Sequence, residues 1–308
     1  MYVIKEILAF LMLAILCQCS LGNDKSKHKN YIIERFSKKE KCDYDYNNPD
    51  KVKGLDWSLS EISGMAYNEA HHTLLVVNDE KGNVYELEID NFAIVSKNMF
   101  WNTGDYEGIG FDGDFIWVIK SNGKLYQYNP NSKETESFDT PISMRNEAEG
   151  LCYNEETKEL FVACKGNALD KGKKSKAKAV YAFDVENKVF KEDEVLKFHP
   201  KDIIDFVEET KKGEIDKNLI GRIKVFSPSG IQISSSSSDL FVLSARGSML
   251  LVIDLKGEIK ELVFFNPKHL PQPEGICTDA EGNLYISTEG KAKKGKIFLF
   301  KKKNRENN

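Results

Sequence analysis

Five times the chain sets two polar side chains two residues apart, then a glycine, then an aliphatic residue. The copies are Glu61-Ile62-Ser63-Gly64-Met65, Asp105-Tyr106-Glu107-Gly108-Ile109, Glu147-Ala148-Glu149-Gly150-Leu151, Ser227-Pro228-Ser229-Gly230-Ile231 and Gln272-Pro273-Glu274-Gly275-Ile276. Residues two apart on a strand share a face, which groups Glu61 with Ser63, Asp105 with Glu107, Glu147 with Glu149, Ser227 with Ser229 and Gln272 with Glu274. Carboxylates crowded within a few ångströms raise one another's pKa and cannot all ionise without compensation. Three arrangements supply it. A hard cation such as Ca²⁺ can collect the oxygens. Lys120, Lys165 and Arg246, at the ends of the strands that follow, can provide counter-charge. Or each glutamate can hydrogen-bond backbone N–H groups of the neighbouring unit, the glycine letting the strand turn.

The elements that must position these residues follow from the spacing. The glycines fall 44, 42, 80 and 45 residues apart, and each is followed by short apolar runs with turn residues between them. Repeats of about 40–50 residues carrying several short strands mark a β-propeller, because one small sheet cannot bury both faces and stacks on its neighbours around an axis. The expected fold is therefore all-β, a propeller of about 40–45-residue, four-stranded blades. In the first blade Gly64 to Tyr67, Thr73 to Val77, Asn83 to Ile89 and Ala93 to Trp101 read as strands, with a period of two in Val84 to Ile89. Five blades are recognisable. The fifth lacks a fourth strand, which the segment Lys51 to Trp57 can supply, closing the ring and removing an exposed sheet edge.

The 80-residue interval admits a sixth, degenerate blade. Ile203, Phe206 and Val207 at helical spacing, with Asp202 as a cap and Gly213 as a stop, instead favour a helical insertion over about residues 190–222. The lysine run Lys171 to Lys178 falls in a loop of the third blade and reads as a solvated charge run. Ser234 to Ser238 reads as a hairpin turn.

Ile7 to Leu16 is an unbroken apolar stretch after Lys5, too short to span a bilayer and suited to a secretory signal. It ends at Cys17-Gln18-Cys19, a pattern resembling the bacterial lipoprotein signal, in which Cys19, or alternatively Cys17, is lipidated. Residues 1–19 are then the signal, 20–41 a polar, lysine-rich flexible tether, 42–303 one propeller domain and 304–308 a disordered tail. Cys42, Cys152, Cys164 and Cys277 remain. Cys152 and Cys277 stand two after their glycines, which marks a strand-packing position, and no C-x-x-C pair suggests zinc.

The composition excludes other classes. A net charge of −4 and a pI near 5.9 give no electrostatic case for nucleic acid. His28, His71, His72, His199 and His269 have no nucleophile in a paired setting, and there is no phosphate-cradling glycine loop.

Glu61 to Gly64, Pro228 to Ile231 with Leu240-Phe241-Val242-Leu243-Ser244, and Gln272 to Ile276 with Gly282-Asn283-Leu284-Tyr285-Ile286-Ser287 together resemble the SdiA-regulated (YjiK-like) propeller family, over about residues 55–300. The resemblance implies a bacterial cell-envelope propeller, often membrane-anchored, whose partner would be an envelope protein or a small ligand. Fold relatives of that family, the calcium-dependent phytases and lactonase-type propellers, place a metal at the channel mouth. Carried over, that metal rests on Glu107, Glu149 and Glu274, since Ser63 and Ser229 replace the glutamate in the other two copies. The expected function is a lipid-anchored binding or scaffold module with Ca²⁺ at the channel, and the alternative is a metal-dependent phosphoesterase or lactonase-like hydrolase.

Overall fold

The computed structural model describes residues 30–39, 42–169, 177–211, 213–235 and 237–303. The signal, Cys17, Cys19, most of the lysine run and the C-terminal tail lie outside them. Two short strands, β1 (Ile32–Ser37) and β2 (Lys51–Gly54), and a 3-10 turn at Trp57–Leu59 precede five successive strand groups. The first group is β3 (Ile62–Asn68), β4 (Thr73–Asn78), β5 (Asn83–Glu88) and β6 (Ile94–Met99), and the second is β7 (Tyr106–Phe111), β8 (Ile116–Lys120), β9 (Leu125–Tyr128) and β10 (Thr135–Phe138). The third is β11 (Ala148–Asn154), β12 (Glu159–Cys164), β13 (Lys178–Asp184) and the long β14 (Val189–Phe198). Helices α1 (Pro200–Thr210) and α2 (Lys217–Lys224) intervene. The fourth group is β15 (Gly230–Ile233), β16 (Leu240–Ser244), β17 (Met249–Ile253) and β18 (Ile259–Phe265), and the last is β19 (Pro273–Thr278), β20 (Leu284–Thr288) and β21 (Lys296–Phe300).

Each group forms one antiparallel sheet, so the propeller has five blades. The 80-residue interval holds the long outer strand β14 and the two helices, not a sixth blade. β2 pairs with β21, Val52 opposite Phe298, and completes the fifth blade from the N-terminal side. This is the ring closure expected of the Lys51 segment. β1 was not expected: residues 32–37 lie in the stretch assigned to a tether, yet they add a fifth strand to the fourth blade, with Arg35 opposite Val263. Arg35 also donates Nε–H to Glu261 Oε1 at 2.6 Å. The apolar residues Ile32 and Phe36 are the signal that lysine content concealed.

Alternation along the strands builds the core. On β4, Leu74 and Val76 join Ile62, Met65 and the fifth blade's Tyr285 and Ile297, whereas Leu75 and Val77 join the second blade's Ile109, Val118 and Tyr126. Trp117 and Ile119 likewise meet the third blade's Leu160, Val162 and Tyr181. Each blade thus buries both faces against its neighbours, and each fully buried aliphatic or aromatic side chain contributes about 1.5–3 kcal/mol. The helices cap the interface of blades three and four through Ile203, Phe206, Val207, Leu219 and Ile223. Asp202 is not the cap of α1 but its third residue, accepting the His199 backbone N–H at 2.6 Å. In α2, Arg222 donates to the carbonyls of Gly247, Ser248 and Phe265 at 2.6–2.8 Å and lies 5.0 Å from the Phe264 ring centroid. That clamp ties the insertion to the fourth blade.

Candidate functional site

The five glycines of the repeat stand where inner strands approach one another. A Cβ on Gly64 would lie 2.7 Å from Ile109 N, on Gly108 2.7 Å from Leu151 N, on Gly150 2.9 Å from Ile231 N, on Gly230 2.1 Å from Glu274 O and on Gly275 2.5 Å from Ser63 O. The contacts run round the ring, each blade against the next and the fifth against the first. None of the five has a positive φ. Glycine is required here for close approach between strands, not for the turn the sequence suggested.

That approach places Glu107, Glu149, Ser229 and Glu274 around one axial cavity of about 10 Å³. A space of that size admits about one water molecule. Serine hydroxyls make the blade-to-blade hydrogen bonds: Ser63 Oγ donates to Glu107 O at 2.7 Å, and Ser229 Oγ donates to Pro273 O at 2.7 Å. Ser227 Oγ donates to Lys165 O at 3.0 Å across the junction of blades three and four. The stapling expected of the glutamates thus belongs to serines.

In the first, second, third and fifth blades the start of the inner strand is registered against the end of the second. The carbonyls of Glu61, Asp105, Glu147 and Gln272 accept the backbone N–H of Asp79, Ser121, Lys165 and Glu289, at 2.8–3.3 Å. Lys165 is the one base among these four residues, and its ammonium reaches Glu149 Oε1 at 2.7 Å. Lys120 falls one position short of that register, and its ammonium sits 5.6 Å from the Tyr106 ring centroid. Arg246 is exposed. Of the three bases expected to compensate the carboxylates, the structure brings one to them. Glu147 and Gln272 take left-handed backbone angles, φ 49° and 40°, where their inner strands begin. Gln272 Nε2 donates to Glu289 Oε2 at 3.0 Å, and Asp105 accepts a short hydrogen bond from the Ser121 hydroxyl.

One ammonium among three carboxyls, Glu149 buried and Glu107 and Glu274 half-buried, sets the charge state. Burial pushes Glu107 up to about 8, with the charges of Glu149 and Asp105 adding to it. Burial pushes Glu149 up to about 7 against the pull of Lys165. Glu274 is driven well above the usual carboxylate range, by burial first and Glu149 second. Burial opposes the charge of Lys165, but Glu149 and Glu107 outweigh it and raise its pKa. Beside Lys165, Glu149 is thus raised less than Glu107, which holds its proton to higher pH. Ser63 Oγ also donates toward Glu107 Oε2 at 3.1 Å, a contact that favours the carboxylate but is outweighed by burial and by the neighbouring charges. Among the described residues, no group of three or more His, Cys, Asp or Glu side chains is arranged to hold a metal ion.

Sequence reasoning missed a second acidic cluster on the same rim. Asp79, at the position equivalent to Lys165, is raised to about 6 by burial and then by Glu61, Glu80 and Glu289. Its place at the end of a second strand, where Lys165 stands in the third blade, is the signal the sequence carries. The four described cysteines are free thiols, and Cys152 and Cys277 are buried on inner strands as their equivalence implies.

Residues 185–292, from the end of β13 through the helices and the fourth blade into the fifth, match the model of the SdiA-regulated family. No curated protein matches the chain. Among solved structures, glutaminyl cyclase of Myxococcus xanthus is similar with a TM-score of 0.52 at 12% identity, over 82% of this chain and 95% of that one. A chain of a nidogen/laminin complex gives a TM-score of 0.47 at 12% identity, over 74% and 72%. Virginiamycin B lyase of Staphylococcus aureus gives 0.43 at 13% identity, over 80% and 68%. At such identities the likeness to the cyclase concerns the fold alone. No described helix is long and apolar enough to cross a membrane.

Proposed function

We propose that the chain is a propeller of the SdiA-regulated type, anchored in the bacterial cell envelope through Cys19, that works as a non-catalytic binding module. The family match over residues 185–292 supports the family and, with it, the envelope. The observation that carries the non-catalytic reading is how the axial carboxyls are engaged. Glu149 is held by Lys165 and Glu107 by Ser63, around a space of about 10 Å³. A hydrolase needs a carboxylate or an activated water open to substrate, and a water-sized axial space offers no seat for an ester or lactone. The axial groups act as a joint between blades.

A second reading keeps calcium at Glu107, Glu149 and Glu274, favoured by three carboxyls sharing one ammonium. The side chains as placed do not form a ligand set, and binding would require Glu149 to exchange Lys165 for the ion. Calorimetric titration of Ca²⁺ into chelator-stripped protein, with a phosphoesterase and lactonase screen, separates the readings. Absence of heat and of turnover is the expected result. Tight binding that raises the melting temperature and is lost in Glu107→Gln/Glu149→Gln would establish the calcium site, and turnover would refute the non-catalytic reading. Anchoring is checked by fractionation of cells, with Cys19→Ala releasing the protein from the membrane.

A further inference from the structure

At the opposite end of the inner strands lies a bowl that the axial chemistry does not use. Residues three after each repeat glycine fall at equivalent positions there, and in the first three blades they are Tyr67, Phe111 and Tyr153. These three line a cavity of 460 Å³ whose floor includes Ala66, Gly110 and Cys152. The volume suits a small molecule. Its polar lining is one-sided: the carboxylates of Glu69, Asp112 and Glu155 border it, and none of its lining residues is basic. Asp112 is committed to the fold, accepting the backbone N–H of Asp114 and Phe115 and the Trp117 indole N–H. Glu69 and Glu155 are exposed on the rim, and neither forms an ion pair with a described residue.

Two further polar groups line the bowl, each able to accept a hydrogen bond. Thr278, the equivalent residue of the fifth blade, lines the cavity, is 6% exposed, and its hydroxyl has no hydrogen-bond partner. Such a group costs free energy unless something pairs with it. Gln232 donates one of its two amide N–H groups to Ile233 O at 2.7 Å, and its side-chain carbonyl remains an acceptor. Aromatic faces attract cations, and the Lys158 ammonium already lies 5.9 Å from the Tyr153 ring centroid in the adjoining cavity. Three carboxyl-bearing residues with no base among the lining oppose an anion and favour a cation.

We propose that this bowl binds a small organic cation, its ammonium group held between Tyr67, Phe111 and Tyr153, hydrogen-bonded to Thr278 and steered by Glu69 and Glu155. The proposal rests on the binding-module reading and supplies its ligand class. The test is calorimetric titration of the full-length chain with methylammonium, trimethylammonium and 1,4-diaminobutane, each carrying N–H donors, and with glucose and inorganic phosphate alongside. Saturable one-to-one binding of at least one cation is expected, weakened roughly tenfold in Tyr153→Leu, the scale of one desolvated cation–π contact, and retained in Tyr153→Phe. Glu69→Gln with Glu155→Gln should weaken it several-fold and flatten its dependence on salt. Both positions are exposed, so this variant reports on binding even where an aromatic variant fails to fold. No saturable cation binding by the folded chain, tighter binding of glucose or phosphate, or unchanged affinity in the double glutamine variant would overturn the proposal. Turnover in the ester and lactone screen would instead refute the non-catalytic reading and leave this titration to be judged by itself.

Discussion

The two ends of the propeller axis use the same residue type to opposite effect. At the glycine end, Glu107, Glu149 and Glu274 border about 10 Å³, and Glu107 and Glu149 are held by a serine and a lysine. At the aromatic end, Glu69 and Glu155 stand exposed beside 460 Å³, against the rings of Tyr67, Phe111 and Tyr153 and an unpaired hydroxyl. A carboxyl that is buried with its partner in place belongs to the joint between blades; one left exposed at the edge of an empty volume is available to something else. Neutralising acids at the first end should therefore change stability, and at the second end only recognition.

The largest expected effect breaks the first end by shape. Gly230→Ala puts a Cβ 2.1 Å from the backbone oxygen of Glu274, with no flexible side chain to yield. Overpacking of that kind costs about 3 kcal/mol, enough to lower the melting temperature by several degrees in thermal denaturation. A melting temperature within a degree of the wild type would mean that the inner strands are free to move apart.

Lys165→Met comes next. It leaves Glu149 buried without its ammonium, and about 2 kcal/mol should be lost at pH 8, allowing for the partial exposure of the lysine. The loss should shrink at pH 5, where Glu149 can take up a proton instead. A smaller effect is the pH dependence of the wild type. Glu107 and Glu149 sit above their ordinary value of 4.5, so the folded state binds their protons more tightly than the unfolded chain. Stability then falls as pH rises from about 4.5 through about 8 and levels off above. Glu107→Gln should match the wild type at pH 4 and exceed it by about 1 kcal/mol at pH 8.5 in urea denaturation. A Glu107→Gln curve parallel to that of the wild type would show that Glu107 is ionised and paired in the folded state.

Much of this frame was legible in the sequence because it is periodic. Gly64, Gly108, Gly150, Gly230 and Gly275 set the blade count, and the unpaired fifth blade called for the Lys51 strand. What escaped was non-periodic or depended on depth. Ile32 and Phe36 were hidden among lysines, so β1 was read as tether. The α2 helix, begun by Asp216 accepting the Asn218 backbone N–H at 2.8 Å, is too short to announce itself by spacing. At the axis the sequence offers Lys120, Lys165 and Arg246 alike as counter-charge, and a shift of one residue decides that Lys165 reaches Glu149 while Lys120 lies against Tyr106. The aromatic bowl follows the same period, three residues beyond each glycine, but Tyr67, Phe111 and Tyr153 look like ordinary strand residues until their fifth-blade equivalent, Thr278, is seen without a partner.

The smallest expected effect sharpens the comparison most. Glu155 is exposed and makes no ion pair with a described residue, so Glu155→Gln should shift stability by less than about 0.5 kcal/mol at any pH between 5 and 8.5. The same substitution chemistry at Glu107 makes stability depend on pH, because there the proton is held in a buried space. Urea melts of the two variants side by side at both pH values measure that difference directly. Should Glu155→Gln prove stabilising as pH rises, as Glu107→Gln should, its carboxylate would be crowded in the folded state. The aromatic end would then be a second structural joint, and its exposed acids would owe their place to packing between Tyr67 and Tyr153 instead of to a ligand.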